Sequence, residues 1–187
     1  MKFVASDGGP LIALPAEVAK AWRGTDAPIG AKVPAGWEWS GDDDDPIRTD
    51  YDRACGQLRG FHESSYGGVG LIRVGDGDAL VFRGPTDTTF VALPDGGAFL
   101  RNVAFASPAA AKRAALAAPR WKKTRVELDL VDGRLHLIDA AWPFAGRPRP
   151  AMLNAKLGPG RYRVHACDYT PDGVGDFELR AYRLIRA

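Results

Sequence analysis

Glycine-centred turns between short apolar runs constrain this chain more than any other feature. Leu71-Ile72-Arg73-Val74 is followed by Gly75-Asp76-Gly77 and then by Asp78-Ala79-Leu80-Val81-Phe82. Thr88 to Leu93 and Ala98 to Ala104 flank Asp95-Gly96-Gly97 in the same way. Further on, Asp132-Gly133 separates Thr124 to Val131 from Arg134 to Asp139. Ala151 to Leu157 and Arg161 to Asp168 are expected to form a further hairpin about Gly158-Pro159-Gly160, and Phe177 to Ile185 closes the series. Glycine reaches the positive φ that tight reversals demand, and Asp suits their entry. Leu153, Ala155 and Leu157 alternate with polar neighbours, as do Tyr162 and Val164, which buries one face of an extended strand. The pattern predicts an antiparallel β-meander in the first part of the chain. Over residues 119–187 it predicts five strands in a small sandwich or curled sheet.

The opening residues are written in the same way. Phe3-Val4-Ala5 and Leu11-Ile12-Ala13-Leu14 flank Ser6-Asp7-Gly8-Gly9-Pro10, which predicts a tight reversal between two strands. Pro15 suits the first turn of a helix, predicted over Ala16 to Trp22 and stopped by Gly24. A second helix, Ala109 to Ala118, has Ser107 as N-cap, Pro108 at its first position and Pro119 as its stop. The fold class is therefore α+β, mostly antiparallel β. Residues 1–118 carry 12 Lys and Arg against 15 Asp and Glu, whereas residues 119–187 carry 13 against 8. That change of sign places an expected boundary between a 1–118 α+β domain and a β-rich unit at 119–187.

Chemistry is harder to find. At 187 residues, 45% hydrophobic and 26% charged, the chain can bury a core as an ordinary globular protein does. A net charge of +2 does not by itself imply nucleic acid. No apolar run approaches the roughly 18–20 residues of a membrane span, and the start has no signal-peptide profile, so a cytoplasmic location is expected. There Cys55 and Cys167 read as reduced, buried small residues. His62, His136 and His165 have no partner at a metal-ligand spacing and read as hydrogen-bonded or surface side chains. Ser64-Ser65 lies in no nucleophile elbow. Gly75-Asp76-Gly77-Asp78 leads into a strand rather than a helix, which excludes a dinucleotide fingerprint. Asp42 to Asp45 lack the alternating ligands and distal Glu of a calcium loop and read as a solvated acidic loop. Arg120-Trp121-Lys122-Lys123-Thr124-Arg125 could meet phosphates, but one cluster outside any recognised module points away from nucleic acid. Trp37 and Trp39 would share one face if extended, as core residues or interface anchors.

Several separated motifs supply what local chemistry does not. Ser6-Asp7-Gly8-Gly9-Pro10-Leu11-Ile12-Ala13-Leu14-Pro15, with Trp22-Arg23-Gly24, resembles the start of the immunity protein 21 family of bacterial polymorphic toxin systems. The resemblance continues through Asp50-Tyr51-Asp52-Arg53-Ala54-Cys55, Ile72-Arg73-Val74-Gly75, Ala79-Leu80-Val81-Phe82-Arg83-Gly84 and Gly96-Gly97, covering about residues 3–106. The chain departs from it at Arg83-Gly84-Pro85, where acidic residues are expected, and the Trp37 to Asp45 segment looks like an insertion. The resemblance implies a protein with no catalytic residues and no cofactor or metal, whose partner is a cognate toxin that it blocks by binding. Inhibitors of nucleases often present acidic patches that mimic a phosphate backbone. The toxin-contact candidates are accordingly Asp42, Asp43, Asp44, Asp45, Asp50 and Asp52, with Trp37 and Trp39. The alternative is a small-molecule or carbohydrate-binding β-domain built on the aromatic-bearing strands of residues 119–187, which a deep apolar pocket would mark. Neither reading sets an oligomeric state.

Overall fold

The computed structural model describes residues 2–26, 49–57, 68–101, 107–118, 120–145, 151–170 and 179–187. Among the described residues, ten strands build two antiparallel sheets of five. Their ranges are β1 (Leu11–Pro15), β2 (Val69–Val74), β3 (Gly77–Phe82), β4 (Thr88–Leu93), β5 (Gly96–Arg101), β6 (Lys122–Leu130), β7 (Arg134–Asp139), β8 (Leu153–Lys156), β9 (Gly160–Tyr169) and β10 (Leu179–Arg186). One sheet has the order β2-β3-β1-β7-β8 and the other β4-β5-β10-β9-β6. Helix α1 (Asp50–Gln57) lies on the first sheet and α2 (Pro108–Ala117) on the second.

Alternation along the strands explains the layers. Leu11, Ala13, Leu80, Phe82, Leu135 and Leu137 of the first sheet meet Phe99, Leu128, Tyr162, Val164, Tyr182 and Leu184 of the second in one central core. The opposite face of the first sheet buries Ile12, Leu14, Ile72, Val81 and Ile138 with Ala54 of α1 and Trp22. The opposite face of the second buries Val91, Leu93, Leu100 and Ala181 under Ala111, Ala114 and Ala115 of α2. Strand β1 is thus buried on both faces, which is why Leu11 to Leu14 run apolar without a break. Ser107 caps α2 as expected, its Oγ accepting from the Ala110 amide at 3.2 Å.

The strands that flank all four turns are present, but only two of the four turns close hairpins, and the expected hairpin of Ala151 to Leu157 with Arg161 to Asp168 is not formed. The expected meander resolves into two hairpins, β2–β3 and β4–β5, one in each sheet. Segment Arg83 to Asp87 crosses between them. The turns at Asp132-Gly133 and Gly158-Pro159-Gly160 also connect different sheets, because β6 pairs with β9 while β7 pairs with β1 and β8. The two crossings lie side by side, with the Leu157 amide donating to the Gly133 carbonyl at 2.8 Å. Each sheet consequently takes strands from both sides of residue 118.

The N-terminus departs from expectation in two further ways. Val4 pairs not with β1 but with Thr88, exchanging backbone bonds of 3.0 and 2.8 Å, so Ser6 to Pro10 pass from one sheet to the other. Pro15 ends β1 opposite Leu135 instead of starting an α-helix. Only a 3-10 turn at Ala19–Ala21 follows, built on bonds from Val18 to Pro15, Ala21 to Val18 and Trp22 to Ala19. The tighter winding suits a short connection that must deliver Trp22 into the core before Gly24 reverses the chain.

Gly133 provides a test of the paired crossings. Its φ is +74°, and a Cβ there would overlap the backbone of Gly158. Gly133→Ala is expected to cost about 2–4 kcal/mol, combining left-handed strain with overpacking. Gly84→Ala, at φ +81° but with open space around it, is expected to cost only about 1 kcal/mol. Urea denaturation midpoints measure both, and equal losses would contradict the contact between the crossings.

Candidate functional site

The segments that carry the sequence motifs, far apart in the chain, meet at one corner of the first sheet. Ser6 Oγ accepts from the amides of Gly8 and Gly9 at 3.4 and 2.9 Å, which shapes the opening loop. The buried Asp139 carboxylate accepts from the Asp7 amide at 3.4 Å and the Ala141 amide at 2.9 Å, tying that loop to the end of β7. Gly9 is required here by close approach, because a Cβ would overlap the Tyr51 hydroxyl. Burial, then Cys55, Asp139 and Asp52, pushes the Tyr51 phenol up to about 12, so it stays neutral at physiological pH. Trp22 is fully buried, and its Nε1–H donates to the Ala140 carbonyl at 3.1 Å. The Tyr51 amide donates to Gly24 O, the Phe144 amide to Trp22 O and the Thr25 amide to Ala141 O. Three stretches of chain are knotted together.

Asp50 and Asp52 belong to this knot. Asp50 Oδ2 accepts from the Arg23 amide at 3.0 Å, and its Oδ1 pairs with Arg53 at 2.9 Å. Arg53 also donates to the Arg73 carbonyl at 2.6 Å, which fastens α1 to β2. Asp52 accepts from the Thr49 amide at 2.9 Å, while Thr49 Oγ1 accepts from the Asp52 amide at 3.1 Å. That is a reciprocal capping box, and acidic side chains in a first helical turn also complement the helix dipole. The other toxin-contact candidates, Trp37, Trp39 and Asp42 to Asp45, lie outside the described residues.

Beside the knot, on the solvent side, is a groove of about 600 Å³. Its walls are the connection after β1 (Pro15, Glu17, Val18, Lys20, Ala21), the β2–β3 turn (Arg73, Gly75 to Asp78) and the end of β6 (Asp129, Val131). Glu17 Oε1 accepts from the Val131 amide at 2.8 Å, linking two walls. Arg73 and Asp78 form an ion pair at 3.4 Å across the base of the hairpin. Four carboxylates thus line the groove against two cations. Val131 stands 75% exposed at its rim. Sequence reasoning places a turn at Gly75-Asp76-Gly77, which the structure has at Gly75 and Asp76 with Gly77 already in β3, but misses that Asp76 and Asp78 line a groove. The available signal was Val131, which breaks the alternation of buried Leu128 and Leu130.

Elsewhere, His136 is hydrogen-bonded as expected, Nδ1 to Asn154 Oδ1 at 2.7 Å, with its ring 5.1 Å from that of Phe144. His165 is held below the usual imidazole range by partial burial and by Lys123, Arg183 and Arg163. Cys167 is buried and Cys55 half-buried, and both are free thiols. Among the described residues no group of three or more His, Cys, Asp or Glu could hold a metal, and no helix is long and apolar enough to cross a membrane. Arg183 lies over the Trp121 ring at 5.8 Å, so part of the basic cluster faces the second sheet. The groove takes only Asp129 and Val131 from residues 119–187, the region in which a small-molecule pocket was to be sought.

Comparison with protein families finds one match over most of the chain: the family model described as Immunity protein 21 matches residues 2–174. The matched region includes the opening loop, α1, the groove and strands of both sheets, and it extends well past residue 106. No curated protein and no solved structure matches the chain.

Proposed function

We propose, from the premise that the chain belongs to the immunity protein 21 family, that it protects a toxin-producing bacterial cell by binding the cognate toxin directly, without catalysis. The observation that carries this reading is the extent of the family match, residues 2–174, which takes in strands of both sheets. The geometry supports it in a second way. The motif residues are spent on holding the scaffold together, as an inhibitor that presents a fixed surface requires. In this reading the protein works in the cytoplasm, where it meets the toxin before secretion.

The contact surface includes Asp42 to Asp45 with Trp37 and Trp39, which precede them in the sequence, and Asp50 and Asp52 at the start of α1. The test is direct binding between the purified chain and the toxin encoded beside it, followed by surface plasmon resonance at several salt concentrations. A stable complex is expected. Replacing Asp42 to Asp45 by Asn is expected to slow association and flatten its dependence on salt. An unchanged on-rate and affinity would remove the loop from the interface, and no complex with the wild-type chain would contradict the reading as a whole.

A further inference from the structure

We infer that the groove between the β1 connection, the β2–β3 turn and the end of β6 is a docking site for a basic loop of the toxin, one that places an apolar side chain between lysines or arginines. This rests on the proposed function. The floor and walls of the groove offer the apolar carbons of Pro15, Val18 and Ala21, and Val131 adds an exposed methyl surface at the rim. Valine at 75% exposure has no role in the core, and a shielded apolar contact is what a partner side chain would give it. The volume of about 600 Å³ falls within the range of about 300–1,000 Å³ typical of sites that take up compact groups.

Charge selects the occupant. Glu17, Asp76, Asp78 and Asp129 face the groove against Lys20 and Arg73; Arg73 is paired with Asp78, and Asp129 lies 3.8 Å from Arg161, which also pairs with Glu127, so the surplus rests on Glu17 and Asp76. The surplus is negative in a chain whose formal net charge is +2, so it attracts cationic side chains locally rather than through the field of the whole molecule. The cationic stripe on the second sheet makes the contrast. There Arg183 is paired with Asp95 at 2.7 Å, and Arg161 and Arg163 with Glu127 at 3.0 and 3.1 Å, so its charges are largely satisfied within the chain. The walls of the groove are also tied to one another. The Glu17–Val131 bond joins two walls, and Gly77 lets Val18 close against the hairpin, since a Cβ there would come within 3.0 Å of Val18. A preformed site loses little entropy on binding.

The experiment measures binding of the full chain to the toxin encoded beside it. Two variants are compared with wild type: Val131→Lys, and the double neutralisation Asp76→Asn with Asp129→Asn. All three residues are exposed, and circular dichroism and the thermal midpoint verify that the fold is kept. Each variant is expected to weaken binding at least tenfold. The neutralised variant is also expected to lose part of the salt dependence of its on-rate. Wild-type affinity in both folded variants, with the wild-type complex intact, would overturn the groove assignment and leave the immunity reading standing. Failure of the wild-type chain to bind would overturn both.

Discussion

Arg101→Ala is expected to destabilise the protein by about 3–5 kcal/mol, one of the two largest losses from a single substitution described for this chain. The Arg101 side chain is buried, with the residue only 1% exposed. Nε donates to Thr88 Oγ1 at 3.0 Å, and the two terminal nitrogens donate to the carbonyls of Arg83 and Gly84 at 2.7 and 2.6 Å. Burial lowers its pKa to about 10, so it remains a cation at neutral pH. Its charge is met by carbonyl dipoles and by the Phe82 ring, whose centroid is 5.5 Å away. Hydrogen bonds to charged groups contribute about 1.5–3 kcal/mol each, and relief of the buried charge offsets part of their loss. The crossing from β3 to β4 is therefore fastened by one guanidinium. Arg83-Gly84-Pro85, the point at which the chain departs from the resemblance, is the segment it fastens. Arg101→Met keeps much of the volume and is expected to lose less than Arg101→Ala. Urea midpoints measure both, and a loss below about 1 kcal/mol for Arg101→Ala would contradict this role.

Trp22→Ala is expected to cost about 3–5 kcal/mol, the usual range for emptying a fully buried aromatic site. Trp22 packs with Ile12, Leu14, Ile72, Val81 and Ile138 beneath α1. Its removal leaves a cavity there and also strips the Ala140 carbonyl of its donor. The loss should be uneven. Hydrogen exchange is expected to accelerate first in α1 and in residues 139–144, which Trp22, Gly24 and Asp139 tie down, and least in β9 and β10. Trp22→Phe is expected to keep part of the packing and lose the hydrogen bond. Uniform acceleration across both sheets, or an unchanged midpoint, would contradict the view that the motif residues form a scaffold knot.

The strands were legible in the sequence because Asp-Gly and Gly-Pro-Gly mark their ends, and β5 to β10 fall within a few residues of where those turns put them. The pairing was legible only in part: β2–β3 and β4–β5 are the expected hairpins, whereas β6 and β7, and β8 and β9, part to different sheets. A glycine-rich turn can reverse a chain within one sheet or carry it to a facing sheet, and the choice is made by long-range partners such as Gly133 against Gly158. Leu11 to Leu14 did hold the necessary hint. An unbroken apolar run marks a strand buried on both faces, and that places β1 between β3 and β7 rather than in a hairpin with Val4. Pro15 was ambiguous for a plain reason, since a residue without an amide donor suits both a helix start and a strand end. Apart from Val131, the groove left no mark on the sequence. It is assembled from three short stretches near residues 15–21, 73–78 and 129–131, which only the fold brings together. The capping role of Asp50 and Asp52 was not legible either, since it depends on Thr49 and Arg23 meeting them at the first turn of α1.

The central claim is that this chain neutralises a toxin by holding it. The most direct measurement is growth of cells that express the toxin encoded beside it, with and without this chain. Co-expression is predicted to restore growth to the level seen with an inactivated toxin. Undiminished killing in cells that contain the folded chain would contradict the claim.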